Sequence, residues 1–362
     1  MSENKIYFKF DGKTYGGNQG DTIASALLRN EVKLVGRSFK YHRPRGIYTC
    51  GIEEPNALVQ IINEHNEPNV RATVKKIYDG MVVKSQNRWP SLKRDFGSIN
   101  NLLSPIFSAG FYYKTFMGPK GFWKNVYEPL IRRTAGLGKP PREFKSKSIH
   151  LHHNIDILIV GGGLAGLLAA KKLAGTDQDV LLVERDNNLG GILRNSNKIK
   201  SIDGQKSADW IEKTEWLLKS ANNIKILKNT TVTTYNYKDH LIAIEDKTVG
   251  AQPDNNKPEL VMHKIRTKHT VLANGHIERF LSFRNNDLPG VMLAASFEKY
   301  IHRYGVAPDE KPVIFTNNSS TISLVKSLTN LNSKPTAYID CRNKKDIAVS
   351  YTHLTLPTTV IV

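Results

Sequence analysis

The glycines at 161, 163 and 166, in the run Ile159-Val160-Gly161-Gly162-Gly163-Leu164-Ala165-Gly166, make the clearest chemical statement in this chain. An apolar stretch from Asn154 to Val160 leads into them, and a second, Val180 to Val183, follows and ends at Glu184. Strand, glycine loop, helix start and acid-terminated strand is the order a dinucleotide requires. Gly161 permits the tight turn out of the strand, Gly163 lets backbone approach a pyrophosphate, and Gly166 allows helix and strand to pack closely. The helix start at Leu164 and Ala165 offers unbonded N–H groups to phosphate. Glu184 is placed to hydrogen-bond a ribose diol, and its charge repels a 2′-phosphate, although Arg185 directly after it weakens that exclusion. The ADP halves of NAD and FAD present the same groups, so the loop fits either.

Further along, Leu189-Gly190-Gly191-Ile192 supplies a second glycine pair, which in flavin and pyridine-nucleotide oxidoreductases brings backbone against the dinucleotide. Thr231-Val232 is read as the end of a later strand, where backbone of that family meets the adenine, and Ala273-Asn274-Gly275 resembles its Ala-Thr-Gly motif with Asn in place of Thr. Asn still hydrogen-bonds, so binding is expected to survive. A second nucleotide-like subdomain is predicted from the strand Val313 to Thr316 and the helix Thr321 to Leu328, but Asn317-Asn318-Ser319-Ser320 between them holds no glycine for close approach to a pyrophosphate. One dinucleotide per chain is expected, which disfavours a reductase passing hydride between two. His150, His152 and His153 lie close together, yet no Cys or carboxylate stands at ligand spacing, so they read as solvent-facing linker residues and no metal site is assigned. No general base or nucleophile stands out, and no catalytic residue is assigned.

These residues need a scaffold, and 362 residues supply two or three domains. The formal net charge is +19, with Lys and Arg scattered rather than gathered into one tail or helix, which points to a basic solvated surface able to meet an acidic partner subunit. Basic and aromatic residues interleave from Arg37 to Arg45 and from Arg88 to Arg133, but without helix-turn-helix or zinc spacing they do not read as a nucleic-acid surface. Arg37, Arg43 and Arg45 either pair with acids or meet a phosphate. Only Cys50 and Cys341 are present, far apart, so no disulfide framework is indicated. With no apolar run long enough to span a bilayer and no apolar signal region, the expectation is a cytoplasmic protein away from membranes.

At the start, Ile6, Phe8 and Phe10 alternate with polar neighbours, Asp11-Gly12 supplies a turn, and a helix capped by Asp21 runs from Thr22 to Arg29 and stops at Asn30, as in a small β-grasp domain. Gly36 to Gly51 resembles the ferredoxin-like subunits of amine and opine oxidases, whose iron–sulfur loop opens Cys-Gly and has cysteines five and eight residues on; here those positions are Pro55 and Leu58. A ferredoxin-like domain without an iron–sulfur cluster is therefore expected. The segments Gly51 to Val59, Val83 to Leu92, Ala109 to Met117 and Tyr127 to Arg133 resemble, in the same order, the large (alpha) subunits of heterotetrameric sarcosine oxidases, and the resemblance runs from about Ile6 to about Ile339.

That resemblance implies NAD in this chain, FAD on a beta subunit and FMN at the alpha/beta boundary, with gamma and delta subunits completing the complex. It implies oxidative demethylation of sarcosine to glycine, the one-carbon unit leaving as formaldehyde or on tetrahydrofolate and the electrons ending as hydrogen peroxide, with sarcosine and tetrahydrofolate bound outside this chain. The role expected here is binding and assembly, by an alpha-subunit fragment inactive alone. The alternatives are an FAD-dependent NADH reductase and an electron-transfer subunit of an amine or opine dehydrogenase. The predicted class is α/β: a ferredoxin-like β-grasp domain at 1–82, a connecting region at 83–153, and a Rossmann-like domain of the pyridine nucleotide-disulfide oxidoreductase type at 154–349 with a degenerate, truncated second nucleotide subdomain. Residues 350–362, with no Lys, Arg, Asp or Glu, read as a non-native tail.

Overall fold

The computed structural model describes residues 5–62, 66–102, 104–105, 110, 118–134, 148–196, 198–248, 259–342 and 359–361. The segment Ala109 to Met117, Gly110 apart, and the passage through Pro140 and Pro141 lie outside them, as do 350–358 and 362. The chain forms two compact units, one of Met1–Phe144, Phe280–Tyr300 and Val306–Glu310, the other of Lys145–Arg279, Ile301–Gly305 and Lys311–Val362. Among the described residues no helix is long and apolar enough to cross a membrane.

In the first unit, β1 (Lys5–Phe10) and β2 (Lys13–Asn18) pair antiparallel from Lys5↔Asn18 to Phe10↔Lys13. Asp11 and Gly12 both take positive φ, 47° and 83°, as a two-residue hairpin turn demands. Phe8 and Phe10 are buried and their neighbours are not, so alternation chose the core face. With β3 (Leu58–Ile61), β4 (Glu67–Arg71) and β5 (Val82–Ser85) the sheet order is β2-β1-β5-β3-β4, β5 running parallel to β1. Helix α1 (Ile23–Arg29) buries Ile23, Ala26 and Leu27. Its cap is Thr22, not Asp21: Thr22 Oγ1 accepts from the Ser25 amide at 3.1 Å, and Ser25 Oγ accepts from the Thr22 amide in return. Asp21 accepts instead from Ser25 Oγ, the Asn18 amide and Arg29 Nε.

Two further contacts organise this unit. Arg43 makes a fork with Asp287, at 2.7 and 2.8 Å, and Arg45 donates to the same carboxylate, so these arginines pair with an acid. Arg37 donates to the carbonyls of Leu92 and His42. Glu54, 2% exposed, takes the amides of Tyr48 (3.0 Å) and Thr49 (2.6 Å) on Oε2 and those of Asn56 (2.8 Å) and Ala57 (3.0 Å) on Oε1.

The second unit is built on β6 (Ser148–Val160), α2 (Leu164–Leu173), β7 (Val180–Val183), α3 (Ser207–Ser220), β8 (Ile224–Leu227), β9 (Thr230–Asn236), β10 (His240–Asp246) and β11 (Leu260–Leu272). The sheet order is β8-β7-β6-β11-β10-β9, the first four strands parallel and the last two antiparallel. Adjacent residues of β7 and of the end of β6 serve opposite faces, which is why Val180–Val183 and Ile157–Val160 read as unbroken apolar runs. Ile159 and Leu182 pack with Leu167, Trp210 and Ile211 from the helices. Leu158, Leu181 and Val183 pack with Leu241, Ala243 and Ile265 from the antiparallel half, which folds its apolar side over the parallel half. After α4 (Ala294–Tyr304) come β12 (Val313–Thr316), α5 (Ile322–Asn330), β13 (Ala337–Asp340) and β14 (Thr359–Ile361), the three strands parallel. The end of the segment read as a non-native tail thus forms an edge strand beside β13.

Two expectations need correcting. His150, His152 and His153 are strand residues of β6, paired with Met262, Lys264 and Ile265 of β11, and not a linker. Polar residues on an exposed strand face carry no apolar period, so the strand's first half is invisible locally. Thr231 and Val232 open β9 rather than ending a strand, because β8 stops at Leu227 and the turn at Asn229 takes positive φ.

Candidate functional site

Strands β6 and β11 end side by side at Val160 and Leu272, where the order of parallel strands reverses, and ligands of open α/β sheets lie at such a point. The Ala273 amide donates to the Val160 carbonyl at 2.8 Å and the Gly161 amide to the Val183 carbonyl at 2.8 Å, which locks the loop's first residue between both neighbours. Gly161 has φ +106°, and a Cβ there would lie 2.4 Å from the Ala273 carbonyl oxygen. Gly166 is tighter, since its Cβ would sit 1.8 Å from the Gly161 carbonyl oxygen. Both glycines are demanded by protein packing.

Gly163 differs. It is the N-cap of α2 in extended conformation, with no side-chain capping bond, and a Cβ would meet nothing nearer than Gly191 Cα at 4.0 Å. The space in front of it is open, and the amides of Leu164, Ala165 and Gly166 open the helix without a side-chain acceptor. This is a cradle that a side chain would fill and a phosphate fits. Gly190, φ +117°, donates to the Gly162 carbonyl at 2.8 Å, and Gly191, φ +49°, lies against Gly163, so the second glycine pair closes on the first.

Glu184, 8% exposed, is already engaged: Oε2 accepts from the Gly162 amide at 2.6 Å and Oε1 from the Asp186 amide at 2.8 Å. Gly162 therefore belongs to the site, although sequence reasoning passed over it; its middle position in a glycine triplet was the available signal. The Thr230 amide donates to the Glu184 carbonyl at 2.9 Å, which makes Thr230, not Val232, the residue that joins β9 to the loop. Val232 packs on the apolar cluster beneath. Arg185 is exposed, as are Asn274 and Gly275 beyond Ala273. Arg303 pairs with Asp186 at 2.7 Å.

The strand-to-helix turn of the second subdomain is filled by its own side chains. Asn318 Oδ1 accepts from the Ser320 amide at 2.8 Å, and Thr316 Oγ1 accepts from the Asn318 amide at 3.2 Å. Asn318 thus caps the short 3-10 turn Ser319–Thr321 that leads into α5, where the first turn has a glycine with no side chain. Among the described residues no group of three His, Cys, Asp or Glu could hold a metal ion.

Comparison with known proteins gives two family models, a 2Fe-2S iron-sulfur cluster binding domain over residues 3–88 and an NAD(P)-binding Rossmann-like domain over residues 159–214. The chain is 42% identical to sarcosine oxidase subunit alpha of Rhizobium meliloti (strain 1021), over 94% of this chain and 35% of that one. It is 32% identical to sarcosine oxidase subunit alpha of Corynebacterium sp. (strain P-1), over 94% of this chain and 31% of that one. It thus spans about a third of the length of the curated relatives it matches. Among solved structures, L-proline dehydrogenase from P. horikoshii covers 95% of this chain and 54% of its own at 21% identity and a TM-score of 0.62, a likeness of fold.

Proposed function

We propose that this chain, a relative of the sarcosine oxidase alpha subunits over about a third of their length, holds one NAD and contributes binding and assembly to a sarcosine-oxidising complex. The observation that carries the reading is the empty face of Gly163 beside an uncapped helix start. The amides of Leu164, Ala165 and Gly166 receive the pyrophosphate, with Gly161 setting the turn and Gly190 and Gly191 closing over it. Glu184 spends two lone pairs on Gly162 and Asp186; a carboxylate has about four acceptor positions, so it retains capacity for a ribose hydroxyl. Arg185 borders that ribose, Val232 backs the adenine side, and Ala273, Asn274 and Gly275 line the loop's far edge. When bound, NAD supplies a hydride acceptor; this chain's residues hold and orient it.

Within the same reading the ferredoxin-like domain carries no iron–sulfur cluster. Clusters need four ligands, and the whole chain offers Cys50 and Cys341 alone, with Pro55 and Leu58 where further thiolates would stand. Assembly with beta, gamma and delta subunits, and with it sarcosine demethylation, FAD, FMN and tetrahydrofolate elsewhere in the complex, draws on the similarity to alpha subunits. It is supported by apolar surface in the first unit, where Trp89 (69% exposed) and Phe96 (63%) pack at 5.2 Å beside exposed Ile99 and Leu102. The test is to denature the purified protein, expressed with its partners, and record the released cofactor. One NAD per copy of this chain, beside the FAD and FMN assigned elsewhere in the complex, and no iron are expected; bound iron, a further FAD in place of NAD, or no NAD each overturns its part of the proposal.

A further inference from the structure

A second concave site lies in the second unit, and none of its lining residues belongs to the glycine loop. It is a cavity of about 490 Å³ between the edge strand β8 and the antiparallel half of the sheet, within the size range of small-ligand pockets. Leu151 and Ile226 line it, and Lys219, Lys225, Lys228 and Lys247 surround it. Lys219 and Lys228 share Glu215, at 2.8 and 2.6 Å, and Lys247 pairs with Glu245 at 2.5 Å. Four ammonium groups against these two carboxylates leave two positive charges uncompensated, and Lys225 has no ion-pair partner among the described residues. With Lys225 exposed to solvent, this excess of positive charge attracts an anion to the cleft.

Behind the lysines stands a hydrogen-bonded row. His263, 1% exposed, meets Glu245 Oε2 through Nε2 at 3.1 Å and His153 Nε2 through Nδ1 at 2.9 Å. Burial, then the charge of Lys225 and the neighbouring His263 and His152, holds His153 below the usual imidazole range. Such surroundings exclude a cation. A concave site with an apolar floor also differs from the extended basic stripe that nucleic acid uses.

We infer that this cavity binds a small organic anion, its carboxylate or phosphate head held by Lys225 and Lys228 and its apolar body lying on Leu151 and Ile226. None of its lining residues is assigned to the dinucleotide, and the experiment keeps the two sites apart. Inorganic phosphate and phenyl phosphate are titrated into the intact protein at physiological ionic strength, read by calorimetry and by the imidazole ¹⁵N resonances of His153 and His263. Saturable one-to-one binding is expected, with phenyl phosphate tighter by about tenfold, as burial of its ring implies. Lys225→Ala should weaken both by about tenfold or more, Lys225→Arg should keep them within about threefold, and Gly163→Val should change neither. Non-saturating binding, equal affinity in Lys225→Ala, or loss in Gly163→Val with silent histidine resonances would each overturn the inference, the last by placing the anion on the glycine loop.

Discussion

Single residues divide the glycine loop into parts that hold the fold and a part that faces the ligand. Gly166→Ala forces a methyl against the Gly161 carbonyl, where it would sit 1.8 Å away, and should cost about 3 kcal/mol of stability, seen as a lowered denaturation midpoint. Gly163→Val meets no such wall, so its melting temperature without ligand should match wild type while retained adenine nucleotide falls by about a hundredfold or more, a side chain now standing where the pyrophosphate would lie. Unaltered nucleotide content in a folded Gly163→Val protein would remove the assignment. Their spacing made these roles readable in advance, because φ and the space around a Cβ are local properties. Partners far along the chain were not readable. Glu184 was placed correctly at the end of its strand, yet its bond to the Gly162 amide depends on how two loops converge. His153 hid in the same way, since its partner His263 lies on a different strand. With the folded pKa of His153 lowered, the unfolded chain binds the extra proton, so stability is full above about pH 6.5 and falls as pH drops through that value. Melting curves between pH 7 and 5 should show this decline, and His153→Gln should flatten it.

At the scale of elements, the second half of β6, α2 and β7 were legible because apolar runs and glycine punctuation are strong signals. The first half of β6 was not, because pairing with β11, and not an apolar pattern, makes it a strand. Helix α1 shows a smaller version of the same limit. Asp21 and Thr22 are both good caps by type, and only the folded position of Ser25 decides between them. Helix α3 carries Trp210 at 2% exposure against Lys171 and the core of the second unit, with an indole N–H that lacks a partner among the described residues. Trp210→Ala should cost about 3–5 kcal/mol through the cavity it leaves. Trp210→Phe keeps much of the volume and removes the unpaired donor, so chemical denaturation should place its cost at about 1 kcal/mol or less.

For the molecule as a whole, the two strand-to-helix turns make opposite use of one architecture. One leaves its helix start open at Gly163; the other fills the loop with a 3-10 turn capped by Asn318. A single nucleotide per chain should therefore be measured after acid release, and Asn318→Gly should leave that ratio unchanged. The excess of 52 basic over 33 acidic residues, spread along the whole length, suits a broad electrostatic encounter more than one binding groove. Association with the proposed partner subunits should accordingly slow as salt rises, while dissociation changes less.

The carboxylate of Glu54 bears on how such a protein comes into being. Four backbone amides of its loop already share one genetically encoded acceptor. Replacing that carboxylate by an amide, Glu54→Gln, should cost about 2–3 kcal/mol, because a donor would then oppose donors in a buried place. On the proposed cluster-free reading the intact loop makes no demand on metal supply, and its yield should be indifferent to starving the culture of iron.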